Sequence, residues 1–119
     1  MEEKTLIKDK SFAFAVRVIK VYKHLSETKK EYILSKQLLR AGTSIGANVR
    51  EAQNAESRAD FIHKLAIAQK EAGETVYWIE LLGATEYLSD SEFQSINADA
   101  VSVLKILTAI LKSTKKNGK

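Results

Sequence analysis

The chain has 119 residues, with 19 Lys and Arg against 15 Asp and Glu, five glycines, and neither proline nor cysteine. The lack of cysteine excludes a disulfide framework, thiolate metal sites and a cysteine nucleophile, and a chain of this length buries enough surface to fold without a metal or disulfide staple. Without proline, and with 45% hydrophobic residues, long uninterrupted helices are the expected structure: an all-α single domain over residues 1–119.

No stretch approaches the roughly 20 apolar residues of a membrane span, and the opening MEEKTLIKDK lacks the apolar run of a signal peptide. A cytoplasmic location is expected.

Four periodic segments follow one another. The first helix is expected over about 10–26, starting near Asp9 or Lys10. It carries two apolar stripes, Phe12, Ala15, Ile19, Tyr22 and Phe14, Val18, Val21, Leu25, and hence a wide apolar face. After the polar run Glu27 to Glu31, a second helix over about 32–55 repeats Leu34, Leu38, Ala41, Ile45, Val49 and Ala52 at spacings of four and three. Ser57 with Asp60 resembles a capping box and opens a third helix over about 58–86, with the seam Phe61, Leu65, Ala68, Ala72, Val76, Ile79 and Leu82. Ser89 and Glu92 form a closer S-x-x-E box. They start a fourth helix over about 90–114 along Phe93, Ile96, Ala100, Val103, Leu107 and Ile110. The short links favour an antiparallel up-down-up-down four-helix bundle over a three-helix alternative in which the second and third are fused.

The stretch QLLRAGTSIGANVRE, Gln37 to Glu51, places Gly42 and Gly46 on one face of the second helix. Each costs about 1 kcal/mol against alanine in a helix interior, a cost tolerated where another helix approaches closely. A phosphate-cradling loop is rejected, because the lysine and the strand-to-helix setting of such a loop are missing. A second stripe on this helix, Gln37, Arg40, Ser44, Asn48 and Glu51, is polar and sits at the edge of the apolar seam. It reads as a border bonded to neighbouring helices or to a second subunit, with a ligand or nucleic-acid contact surface as the alternative.

These residues carry a family resemblance. The pattern from Gln37 through Arg40, Ala41, Ser44, Ile45, Asn48, Val49 and Glu51, followed by Phe61, Leu65, Ile67, Ala68, Glu71 and Glu74, resembles bacterial four-helix bundle proteins encoded by intervening sequences of the large-subunit ribosomal RNA gene, also called S23 ribosomal protein-like. The likeness runs from about Phe12 to Leu111. It departs at Ala52, where glycine is common, and at Gln69 and Lys70, where many members carry glycine and serine. That family is similar to accessory proteins of diversity-generating retroelements, which form pentameric barrels and contact nucleic acid and a reverse transcriptase. The resemblance implies a ring-like homo-oligomer, a pentamer, without catalysis or cofactor. Its implied partners are nucleic acid and a protein such as a reverse transcriptase or ribosome-associated factor.

An oligomer is also expected from the third helix, where Ile62, Ala66, Tyr77, Trp78 and Leu81 lie away from the core seam. Ile62, Tyr77, Trp78 and Leu81 are the candidate interface.

Charge is unevenly spread. Residues 1–40 hold ten Lys or Arg and five acids, residues 41–100 four and ten, and residues 101–119 five and none, or +5, −6 and +5. A basic side on the first and fourth helices, through Lys10, Arg17, Lys20, Lys112, Lys115, Lys116 and Lys119 with His24 on the same face, is the candidate nucleic-acid surface. Lysines that only solvate a helix face, on a purely structural or protein-recruiting scaffold, are the rival. His24 and His63 lie on different helices, and Glu71 and Glu74 lack the Glu-x-x-His partners of a di-iron bundle. No catalytic, metal or cofactor residues are expected.

Overall fold

The computed structural model describes residues 2–117, with side chains from Leu6 to Lys116; four helices and no strand occur among them. The helices are α1 (Glu2–Lys23), α2 (Leu34–Gln53), α3 (Arg58–Ala84) and α4 (Asp90–Asn117), and α1 runs into a π-helical turn at His24–Thr28. Lys119 lies outside the described residues.

α1 starts at Glu2, well before the expected Asp9 or Lys10. Ile7 is the reason: at 2% exposure it extends the buried line Phe14, Val18 and Leu25. Of the two apolar stripes, only the one with Phe14, Val18 and Leu25 enters the core. Phe12 and Ile19 stay exposed.

α2 starts at Leu34 because Glu31 acts as its cap. The Glu31 carboxylate accepts hydrogen bonds from the N–H groups of Ile33 at 3.2 Å, Leu34 at 2.9 Å and Ser35 at 2.7 Å, and the Ser35 hydroxyl donates to the Glu31 carbonyl at 2.7 Å. These satisfy donors that a helix start leaves orphaned. Burial opposes the charge, yet the backbone donors outweigh it and hold the carboxyl below its ordinary 4.5.

The remaining caps follow their signals. Ser57 Oγ accepts from the Asp60 N–H at 3.0 Å. Ser89 and Glu92 bond reciprocally, backbone N–H to side-chain oxygen, at 2.8 and 3.2 Å. α3 stops at Ala84, short of Glu86, because Glu86 turns left-handed at φ 67° and the N–H groups of Tyr87 and Leu88 fold back onto the Leu82 carbonyl.

The core runs along Leu38, Ala41, Ile45 and Val49 of α2, Leu65, Ala68, Ala72, Ile79 and Leu82 of α3, and Ile96, Ala100, Val103, Leu107 and Ile110 of α4. An 18-residue window of α4, with mean hydropathy 1.2, meets the length and composition of a membrane-crossing helix, contrary to the expectation that no stretch approaches one. One third of that window, 33%, is buried in the bundle, along the seam Ile96, Ala100, Val103, Leu107 and Ile110.

α1 packs on α2 and α4, and α3 likewise packs on α2 and α4. In two of these contacts the numbers rise in one helix and fall in the other: Val18 and Ser11 meet Gly42 and Gly46, and Arg40 and Glu51 meet Glu71 and Lys64.

Candidate nucleic-acid interface

The basic residues divide into two groups by position. Toward the C-terminal half of α1, α4 side chains hold Arg17, while Lys20 and Lys23 stay exposed and, among the described residues, make no ion pair. Arg17 Nη1 lies 2.5 Å from Asp99 Oδ2 and donates to the Ser95 carbonyl at 3.3 Å, and Nη2 donates to Ser95 Oγ at 2.5 Å. Arg17 therefore commits its guanidinium to α4 partners at the surface, where the sequence pattern points to a phosphate-binding face. His24 Nε2 lies 3.9 Å from Glu92 Oε2. The Ser89 N–H, acting first, holds the Glu92 carboxyl below its ordinary 4.5 against burial, with the Ser89 side chain and the charges of His24 and Lys29 adding to it.

At the other end, α4 continues beyond its last acid. Lys112, Lys115 and Lys116 are exposed and, among the described residues, make no ion pair; Lys105 joins them on the outer side of the helix. Lys10 is half-buried at the α1–α4 edge, in a small cleft with Phe14, Asp99 and Val103. Lys20 is exposed beside the other α1–α4 cleft. Lys105 gives no signal in the sequence because it stands alone among apolar neighbours.

The polar stripe of α2 is bonded locally and across to α3. Arg40 contacts Gln37 Oε1 at 3.2 Å, Glu71 Oε1 at 3.3 Å and the Glu74 carboxylate. Trp78 Nε1 donates to the same Glu74 carboxylate at 3.0 Å. Ser44 Oγ and Asn48 Nδ2 bond back to carbonyls of their own helix, at 2.6 and 2.9 Å. Glu51 Oε1 pairs with Lys64 Nζ at 2.9 Å, and this contact, above all its hydrogen bond, raises the Lys64 pKa.

Gly42 stands where α1 and α2 meet. A Cβ there would lie 2.9 Å from both Val18 methyl groups, whereas one on Gly46 would meet the Ser11 carbonyl oxygen at 3.4 Å. On α3, Ile62 and Trp78 are partly buried against the core, Leu81 is half-buried, and Tyr77 is 53% exposed.

A surface cleft of about 630 Å³ lies over α1 and α2, lined by Ser11, Phe12, Ala15, Gly46, Ala47 and Arg50 among others. The Arg50 guanidinium sits 5.8 Å from the Phe12 ring centroid, a cation–π contact. Among the described residues, no group of three or more His, Asp or Glu could hold a metal ion.

Four helices without a strand among the described residues define an all-α, four-helix class of protein. The model of the 23S rRNA-intervening sequence protein family matches residues 3–109, and the chain belongs to that family. Among solved structures it is similar to a protein of unknown function from the S23 ribosomal protein family of Bacteroides thetaiotaomicron VPI-5482. The two are 55% identical, the match covers 92% of this chain and 98% of that one, and the TM-score is 0.91. A search of the curated proteins found no match.

Proposed function

We propose that this chain is a non-enzymatic, cytoplasmic accessory protein, an up-down-up-down bundle that assembles into a homo-oligomeric ring and holds nucleic-acid backbone along the outer side of α4 and its edge with α1. The observation that carries the proposal is the run of exposed lysines Lys105, Lys112, Lys115 and Lys116, which no described acid neutralises. Arg17, by contrast, is paired with Asp99 and is set aside as a phosphate ligand. A ring repeats the lysine field once per copy, and contacts of this kind grip phosphates without reading sequence. The family's name links its members to 23S rRNA intervening sequences, which fits an RNA ligand. The opposite direction of contacting helices supports the up-down order, and the outer apolar residues on α1 and α3 support self-association.

Retention on RNA and DNA over a salt series tests the proposal. Binding should weaken with salt for every sequence alike. Charge reversal at Lys112, Lys115 and Lys116 should lower the slope by roughly one unit for each phosphate no longer held. If the parent protein shows no retention even at about 50 mM salt, where backbone binding is strongest, the lysines only solvate the helix and a protein-recruiting scaffold is the remaining function.

A further inference from the structure

We infer that the cleft over α1 and α2 receives an unpaired nucleobase, so that the nucleic acid gripped along α4 in the function proposed above is single-stranded. This assignment rests on that backbone grip and adds the contact with the bases.

Three helices line the cleft: α1 contributes Phe12 and Ala15, α2 Gly46 and Ala47, and α3 Asp60 and Lys64. Its volume of about 630 Å³ falls within the range that small ligands occupy, roughly 300–1,000 Å³. Because Ala15, Gly46 and Ala47 bring no bulky side chain, a flat group can come close to the helices. Phe12 supplies the platform. The Arg50 guanidinium lies 5.8 Å from its ring centroid and still leaves Phe12 58% exposed, and Arg50 makes no ion pair among the described residues. An aromatic ring and a guanidinium plane are the groups on which proteins stack unpaired bases, and every base has a face to offer them.

Charge separates the base from the backbone. In the cleft, the cations Lys8, Arg50 and Lys64 are matched by Glu51, Glu56 and Asp60, and Lys64 is already paired with Glu51 at 2.9 Å. A chain of phosphates finds no net attraction there, whereas a neutral flat ring is not repelled. Lys112, Lys115 and Lys116 have the opposite character, exposed and without an acid on α4 beyond Asp99. Phosphates therefore favour the lysines and a base favours the cleft.

Both features stand at the same end of the bundle. Arg58, the first residue of α3, donates to the Thr114 carbonyl of α4, between Lys112 and Lys115, and Asp60 in the same first turn of α3 lines the cleft. The bundle measures 21 by 19 Å across its long axis, so a strand on the lysines needs only a few nucleotides to carry a base round to Phe12. A duplex lacks this option, because its bases leave the stack only at the cost of unpairing. Val16 and Ile19 do not line the cleft, so a bound base leaves them uncovered for self-association.

Short single-stranded oligonucleotides with and without abasic sites test the cleft, because an abasic strand keeps every phosphate and loses the bases. By fluorescence anisotropy at about 50 mM salt, the intact strand should bind about tenfold more tightly than the abasic strand or a duplex of the same sequence. The two single strands should show the same salt slope, since they carry the same phosphates. Phe12→Ala should remove the tenfold advantage, and so should Ala47→Gln, which fills the cleft without adding charge. Neither should change duplex binding or the mass read by light scattering. Equal affinity for intact and abasic strands, or an advantage that survives both substitutions, would overturn the base site while leaving backbone binding intact. A free nucleoside monophosphate that binds as tightly as the intact strand, and is lost with Phe12→Ala, would assign the cleft to free nucleotides and overturn the strand. A parent protein that retains neither strand nor duplex would end both readings.

Discussion

Gly42→Ala should destabilise this protein, although alanine in place of a helical glycine ordinarily gains about 1 kcal/mol. The new Cβ would stand 2.9 Å from both Val18 methyl groups and 3.3 Å from its Cβ. Val18 is fully buried, and a valine in a helix is held near one χ1, so the side chain cannot swing clear and α1 and α2 must part. Overpacking of this kind costs about 1–3 kcal/mol, which leaves a net loss of about 1 kcal/mol after the propensity gain. At Gly46 the nearest atom would be the Ser11 carbonyl oxygen at 3.4 Å, an ordinary contact. Gly46→Ala should therefore gain about 0.5–1 kcal/mol, while Gly46→Leu overpacks and loses about 1–3 kcal/mol. Urea unfolding, compared at equal m-values, reads all three. Adding Val18→Ala to Gly42→Ala should recover stability, with a coupling of at least about 0.5 kcal/mol. A Gly42→Ala variant as stabilised as Gly46→Ala would refute close approach at Val18.

The Glu31 cap makes a pH-dependent contribution. Its carboxyl lies below its ordinary 4.5 in the folded protein, so the stabilisation is complete above that value and disappears as pH falls through the lower folded value. Glu31→Gln should cost about 1–2 kcal/mol at pH 7 and much less near pH 3; equal losses at both would mean that the anion is not the cap. Glu86 sits at φ 67°, where any residue with a Cβ carries strain that glycine lacks. Glu86→Gly should raise stability by about 0.5–1 kcal/mol, and a lower melting temperature would show that the Glu86 side chain outweighs the strain.

Much of the fold is legible because period and caps agree. The four-and-three spacing from Leu38 to Ala52 is the buried line of α2, and the S-x-x-E pair Ser89 and Glu92 makes both of its reciprocal bonds. The start of α2 is not legible. Glu31 lies in a polar run with no apolar period, and its reach to three N–H groups depends on the π-helical turn and the left-handed Lys30 that precede it. The start of α1 is hidden for another reason: a single apolar contact, Ile7, extends a helix whose first residues are polar.

The charge pattern shows what sequence sums omit. Segment totals of +5, −6 and +5 place the basic residues of α1 with those of α4, but only height along the bundle decides which cation meets which acid. Arg17 and Asp99, 82 residues apart, come level and neutralise one another, so Arg17 drops out of the free positive charge that the segment totals suggest. Apolar residues obey the same logic. Two stripes on α1 look equivalent on a wheel, and the core accepts the one that continues through Ile7. The stripe left over, with Phe12, Val16 and Ile19, stays on the surface.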